Sequence, residues 1–121
     1  MKTYEIFTGE ELKIADLILR RRLQILIHSC IYYELNKSLI SDKQWDLWAR
    51  ELVQLQKDYP NIAKQIDWYN AFDGFDASTG AFLPIRDSWV MRKAQQLCGE
   101  KIQDTVIKKP VIKSAKKRKL F

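Results

Sequence analysis

Residues 8–60 read TGEELKIADL ILRRRLQILI HSCIYYELNK SLISDKQWDL WARELVQLQK DYP, and the spacing of apolar residues in this stretch decides the fold. Thr8 followed three residues later by Glu11 has the form of a capping box, which predicts a helix start. Leu12, Ala15, Leu19, Leu23, Leu26 and Cys30 then recur every three or four residues, the stripe of an amphipathic helix reaching about Tyr33. Arg20, Arg21 and Arg22 lie beside it, and a short run of like charges is read as a solvated face. Asn36-Lys37-Ser38 interrupts the pattern. Ser41 with Gln44 offers a second capping box, so a second helix is expected from about Asp42. Trp45, Trp48, Leu52 and Leu55 form its buried stripe, and Tyr59-Pro60 ends it, because a residue before proline is pushed out of the helical region. The two helices should close into an antiparallel hairpin.

Downstream, residues 61–68 are expected to add a short helix through Ile62 and Ile66. Asp73-Gly74 and Thr79-Gly80 punctuate a run containing Phe72, Phe75 and Phe82, read as an ordered loop or a small hairpin. Asp87 or Ser88 can cap a last helix in which Val90, Ala94 and Leu97 share a face, with Cys98-Gly99 near its end. The fold class expected is therefore mostly α: a helical hairpin at about residues 9–60, additional helices, an aromatic and glycine-bearing loop, and a basic C-terminal tail.

Charge divides the 121 residues unevenly. Residues 1–100 hold 13 Lys+Arg against 14 Asp+Glu, a net of −1, whereas residues 101–121 hold 8 against 1, a net of +7. This suggests one domain over 1–100 and a weakly ordered tail over 101–121, with too little apolar content to fold alone. Lys108, Lys109, Lys113, Lys116, Lys117, Arg118 and Lys119 are its candidate contacts to DNA, RNA or an acidic protein surface. The terminal Leu120-Phe121 resembles the ending of sliding-clamp-binding peptides, without their usual glutamine. No uncharged stretch approaches the roughly 18 apolar residues of a membrane span, and the N-terminus lacks signal-peptide order, so a cytoplasmic protein is expected. Two cysteines and the single His28 do not make the usual zinc frameworks, and a disulfide is not expected in a reducing compartment.

Asp42, Trp45 and Asp46 stand at i, i+3 and i+4 of one helix, bringing two carboxylates and an aromatic ring to its first turns. Tyr32 and Tyr33 precede the connecting turn, so closure of the hairpin brings all five to one end. Taken singly, each has an ordinary structural reading: aspartate at a helix N-terminus suits the dipole, and aromatic residues on helices are mostly core. Taken together they suit a flat, cationic, hydroxyl-bearing ligand, with rings to stack on it and carboxylates to accept from ribose hydroxyls. Carboxylates one helical turn apart lie closer than the roughly 5 to 9 Å that glycosidases use. His28 has no nucleophile beside it, and catalysis by this chain is not expected.

Over residues 23–60 the chain resembles the N-terminal domain of bacterial NAD-dependent DNA ligases. The matching residues are Tyr32-Tyr33, Ile40-Ser41-Asp42, Trp45-Asp46, Glu51-Leu52, Leu55 and Pro60. The resemblance implies binding of nicotinamide mononucleotide (NMN), the half of NAD that this domain presents to an adenylation domain, through Tyr32, Tyr33, Asp42, Trp45 and Asp46. Trp45 stands where the family has tyrosine, Ser38 replaces a frequent proline and Gln44 a frequent glutamate. No lysine lies two residues before Asp73, where the ligase nucleophile motif would place it. Residues 69–84 and the helix after them resemble short ligase-related proteins encoded by phages of Gram-positive bacteria. Three readings follow: a stand-alone binder of NMN or NAD, an interaction module that keeps the hairpin as scaffold, or one part of a ligase completed in trans by a separate adenylation partner.

Overall fold

The computed structural model describes residues 7–99, so the expectations for residues 101–121, including their seven candidate contact cations, lie outside the described residues. Five helices follow one another: α1 Gly9–Glu34, α2 Asp42–Asp58, α3 Pro60–Ala63, α4 Tyr69–Phe72 and α5 Ser88–Leu97. Among the described residues there is no strand. The protein is mostly helical, as its periodicity predicts.

α1 is the central element, packed against α2, α3 and α5. It runs opposite to α2, since Arg21 meets Glu51, Arg22 meets Gln56 and Ser29 meets Trp45. Because neighbours cover several sides, its buried arc is wide and centred differently from the leucine stripe. Ala15, Ile18, Arg22, Ile25, Leu26, Ser29 and Cys30 are buried, while Leu12 is exposed and Leu19 is half-buried. The stripe chosen from leucines is thus rotated from the true one, which follows the isoleucines at 18 and 25. No helix among the described residues is long and apolar enough to cross a membrane.

Helix ends follow local chemistry, with one correction. Thr8 stands at the N-cap of α1, but its side chain makes no capping bond. Gly9, at φ +38°, turns the chain so that the Thr8 carbonyl, not its hydroxyl, accepts from the Glu11 N–H at 2.8 Å. Ser41 does cap α2, its Oγ accepting from Gln44 N–H at 3.0 Å. Asn36 adopts φ 57°, which lets Lys37 N–H reach back to the Ile31 carbonyl at 3.1 Å and finishes α1. Pro60 ends α2 and opens α3, where its missing N–H loses nothing. At the start of α5, Asp87 accepts from Trp89 N–H at 2.8 Å and Val90 N–H at 3.2 Å. Val90 and Ala94 are buried as expected, but Leu97 points to solvent, and Met91 and Cys98 complete the inner face instead.

The largest correction concerns Arg22. It is not solvated but fully buried, at 0% exposure. Its Nε and Nη2 donate to Gln56 Oε1 at 2.9 and 2.7 Å. Its Nη groups also donate to the carbonyls of Ala63, Ile66 and Asp67 at 3.1, 2.9 and 3.0 Å. This explains why the helix expected over 61–68 stops at Ala63. Carbonyls that a longer helix would pair internally are turned toward the guanidinium, whose planar fork suits several acceptors at once. Arg21, half-buried, pairs with Glu51 at 2.8 Å and lies over the Trp48 ring. Of the three arginines only Arg20 is exposed.

Candidate functional site

The end of α1, the turn over 35–41 and the start of α2 bring the five expected ligand residues to one end of the helix pair, in unequal settings. Trp45 is 1% exposed. Its indole N–H donates to Ser29 Oγ at 3.1 Å, and its ring meets Phe75 edge-on, centroids 6.4 Å apart. Tyr32 is also buried, with Tyr33 against it edge-on at 4.9 Å. The Tyr33 hydroxyl is 3.2 Å from Thr79 Oγ1, which brings the loop after α4 across this end. Asp42 is exposed, and Asp46, half-buried, accepts from Arg50 Nε at 2.7 Å.

Gly80 closes the arrangement. A Cβ at this position would overlap the Ser29 side chain and come within 3.3 Å of the Trp45 ring. Only a residue without a side chain fits there, and its approach buries the tryptophan. Tyr32 and Trp45 line a crevice with His28, Ser38 and Ser41 whose volume is about 10 Å³. That is room for about one water and far from a nicotinamide ring; Tyr33, Asp42 and Asp46 are not on its wall. Sequence reasoning had no sign of this cover, because the turn at Thr79-Gly80 reveals a bend and not what the bend touches.

Titratable groups near this end are tuned by burial. The His28 imidazole lies 5.7 Å from the Trp48 ring, its Nδ1 is buried without a hydrogen-bond partner, and desolvation holds its pKa below the ordinary 6.5. Cys30 is a buried free thiol pushed up to about 12 by burial first, then by Glu34 and Cys98. It is protonated at neutral pH, which removes it as a nucleophile. Among the described residues no group of three or more His, Cys, Asp or Glu is arranged to hold a metal ion.

Two larger concavities flank the loop at Asp73–Asp76. One, of about 580 Å³, lies between α2, α3 and this loop; the other, of about 410 Å³, lies between the loop and Leu83, beside Phe82. Phe82 is 91% exposed. On the α5 side Trp89 is 41% exposed, with Trp68 at 6.1 Å and Lys93 Nζ 5.7 Å over its ring. Neither Trp89 nor the larger cleft stood out in the sequence, where a tryptophan on a helix has no sign of which side it faces.

No family model, curated protein sequence or solved structure matches the chain.

Proposed function

We propose that the chain is a non-catalytic nucleic-acid interaction module, with the helical hairpin as scaffold and α5 with the basic segment after it as the contact surface. The observation that carries this reading is Trp89. It is a part-exposed ring on a helix bearing Arg92 and Lys93 and no acidic residue, and the basic segment follows within a few residues. Residues 86–121 hold 11 Lys+Arg against 3 Asp+Glu, a net of +8, whereas residues 1–85 hold 10 against 12, a net of −2. Exposed aromatic faces stack on unpaired bases, and flanking cations take the phosphates, which together suit a single strand. Lys93 lies over the Trp89 ring and would exchange that contact for a phosphate as a base stacks.

Fluorescence anisotropy of a labelled short single-stranded oligonucleotide tests this, with tryptophan quenching as a second signal. Trp89→Ala should weaken binding by about 1–3 kcal/mol. An acidic polypeptide that binds as tightly as the oligonucleotide, or an oligonucleotide affinity unchanged in Trp89→Ala, would favour an acidic protein surface as the partner.

The second reading is the nicotinamide nucleotide binder implied by the ligase resemblance. It is supported by Asp42, which stays exposed, with Asp46 and Tyr33 part-exposed at the same end of the hairpin. With Trp45 buried under Gly80, this reading requires the loop at 79–80 to lift. Calorimetric titration with NMN and NAD, repeated in Asp42→Asn, tests it; no heat at saturating ligand removes it. A ligase fragment lacking its own N-terminal domain, supplied with NAD, tests completion in trans.

A further inference from the structure

We infer that the cleft between α2, α3 and the Asp73–Asp76 loop is a binding site for a small phosphate ester carrying a flat ring. At about 580 Å³, it falls within the roughly 300–1,000 Å³ of small-molecule sites. Its wall carries the two chemistries such a ligand needs. Tyr69, Phe75 and Pro60 offer flat carbon surface, and Lys57 and Lys64 offer charge. Neither lysine is held by a carboxylate among the described residues, so both ammonium groups are available to a phosphate without breaking an existing pair.

Behind this wall lies the buried Arg22. Gln56 and Ala63, both on the wall, are bonded from below by the buried Arg22, and Gln56 Nε2 also donates to the Phe72 carbonyl at 3.1 Å. The Arg22 guanidinium lies 5.9 Å over the Tyr69 ring, which fixes a further wall residue against the same cation. The planar guanidinium fork holds these wall groups through several bonds at once. On the opposite lip, Asp76 is engaged by Ser78, whose side chain first and backbone N–H, at 2.9 Å, second lower its pKa, while Asp73 makes no side-chain hydrogen bond or ion pair among the described residues. Asp73 is thus free to accept from a ligand hydroxyl. A bare inorganic anion would leave the aromatic wall unused, and an uncharged ring would leave both lysines unused, so the cleft selects a ligand with both parts. Neither Trp89, Lys93 nor any of the five hairpin residues Tyr32, Tyr33, Asp42, Trp45 and Asp46 lines it, so it is distinct from both surfaces discussed above.

Amide chemical shifts of the full chain, titrated separately with AMP, adenosine and inorganic phosphate, provide the test. AMP should move the amides of Lys57, Lys64, Tyr69 and Phe75 in a saturable way. Adenosine and phosphate should each bind at least about tenfold more weakly, and Lys57→Ala/Lys64→Ala should cost AMP about tenfold in affinity with an unchanged thermal midpoint. Both lysines are exposed, so the double variant keeps its fold. AMP shifts that fail to saturate, that map to Tyr33, Asp42 and Asp46 instead, or that match those of adenosine overturn the inference. So does an AMP affinity unaffected by loss of both lysines.

Discussion

Arg22 joins three helices through one side chain, and its environment makes a sharp prediction. Truncation to methionine keeps the apolar stem but leaves Gln56 Oε1 and the carbonyls of Ile66 and Asp67 short of a donor inside the protein, while the Ala63 carbonyl keeps only the Ile66 N–H at 3.3 Å. Each unsatisfied buried group costs about 1–3 kcal/mol, softened where water can enter. Arg22→Met should therefore lower unfolding stability by about 2–5 kcal/mol, read from the urea midpoint, and Arg22→Lys should recover only part because an ammonium cannot span the same acceptors. A loss under about 1 kcal/mol would show that these bonds are not retained in solution. His28 gives a second residue-scale prediction, in pH. Burial depresses its pKa below 6.5 in the folded state, so between the two values the unfolded chain binds more protons than the folded one. Stability is then full above pH 6.5 and falls as pH drops from that value toward the folded pKa. The thermal midpoint should hold near its pH 7.5 value down to about pH 6.5 and decline from there toward pH 5.5, and His28→Gln should flatten that decline. An identical slope in the variant would assign the effect to other groups.

Among the elements, the loop that crosses the hairpin end matters most, and its key contact is testable by a pair of substitutions. Gly80→Ala places a methyl against Ser29 and the Trp45 ring, which should cost about 1–3 kcal/mol through overpacking. Ser29→Ala removes the acceptor of the Trp45 indole N–H and should cost about 1–2 kcal/mol. The double variant should be less destabilised than the sum, because the absent hydroxyl makes room for the new methyl; strict additivity would place Gly80 away from Ser29 in solution. The same contact explains what could and could not be read from sequence. α2 and α5 were legible because Ser41, Asp87 and Pro60 act on their own backbone within a few residues. α1 was legible as a helix, but not in its buried arc: leucines and isoleucines both recur at helical spacing, and only its packing against α2, α3 and α5 decides between them. The candidate site was legible as a grouping of Tyr32, Tyr33, Asp42, Trp45 and Asp46 at one end, since that follows from an antiparallel pair. The burial of Trp45 was not, because it depends on Gly80, thirty-five residues away in the chain, and no local pattern encodes such a contact. Arg22 did leave a trace, standing four residues after Ile18 and three before Ile25 on the buried face.

At the scale of the whole molecule, the proposed contact surface has two parts that respond differently to salt, and this separates them. In this proposal, cations of the segment 101–121 would act on phosphates by releasing condensed counterions. About five such contacts give a slope of log K against log[salt] of roughly −3.5 on a single strand and −4.5 on a duplex. Stacking on Trp89 displaces no counterions, so it contributes affinity without slope. With Arg92 and Lys93 adding two contacts to these five, the full chain should show a slope of about −4.9 on single strands. A chain truncated after Gly99 keeps the described core with Arg92, Lys93 and Trp89, and its slope should fall to about −1.4, the value for two phosphate contacts. Trp89→Ala in the full chain should do the reverse, lowering log K by a nearly constant amount at every salt concentration while leaving the slope in place. Measured across one salt series, these two changes are orthogonal: if truncation leaves the slope unaltered, the segment 101–121 does not contact phosphate, and if Trp89→Ala alters the slope and not the offset, the ring is a positioning element for Lys93 rather than a stacking platform.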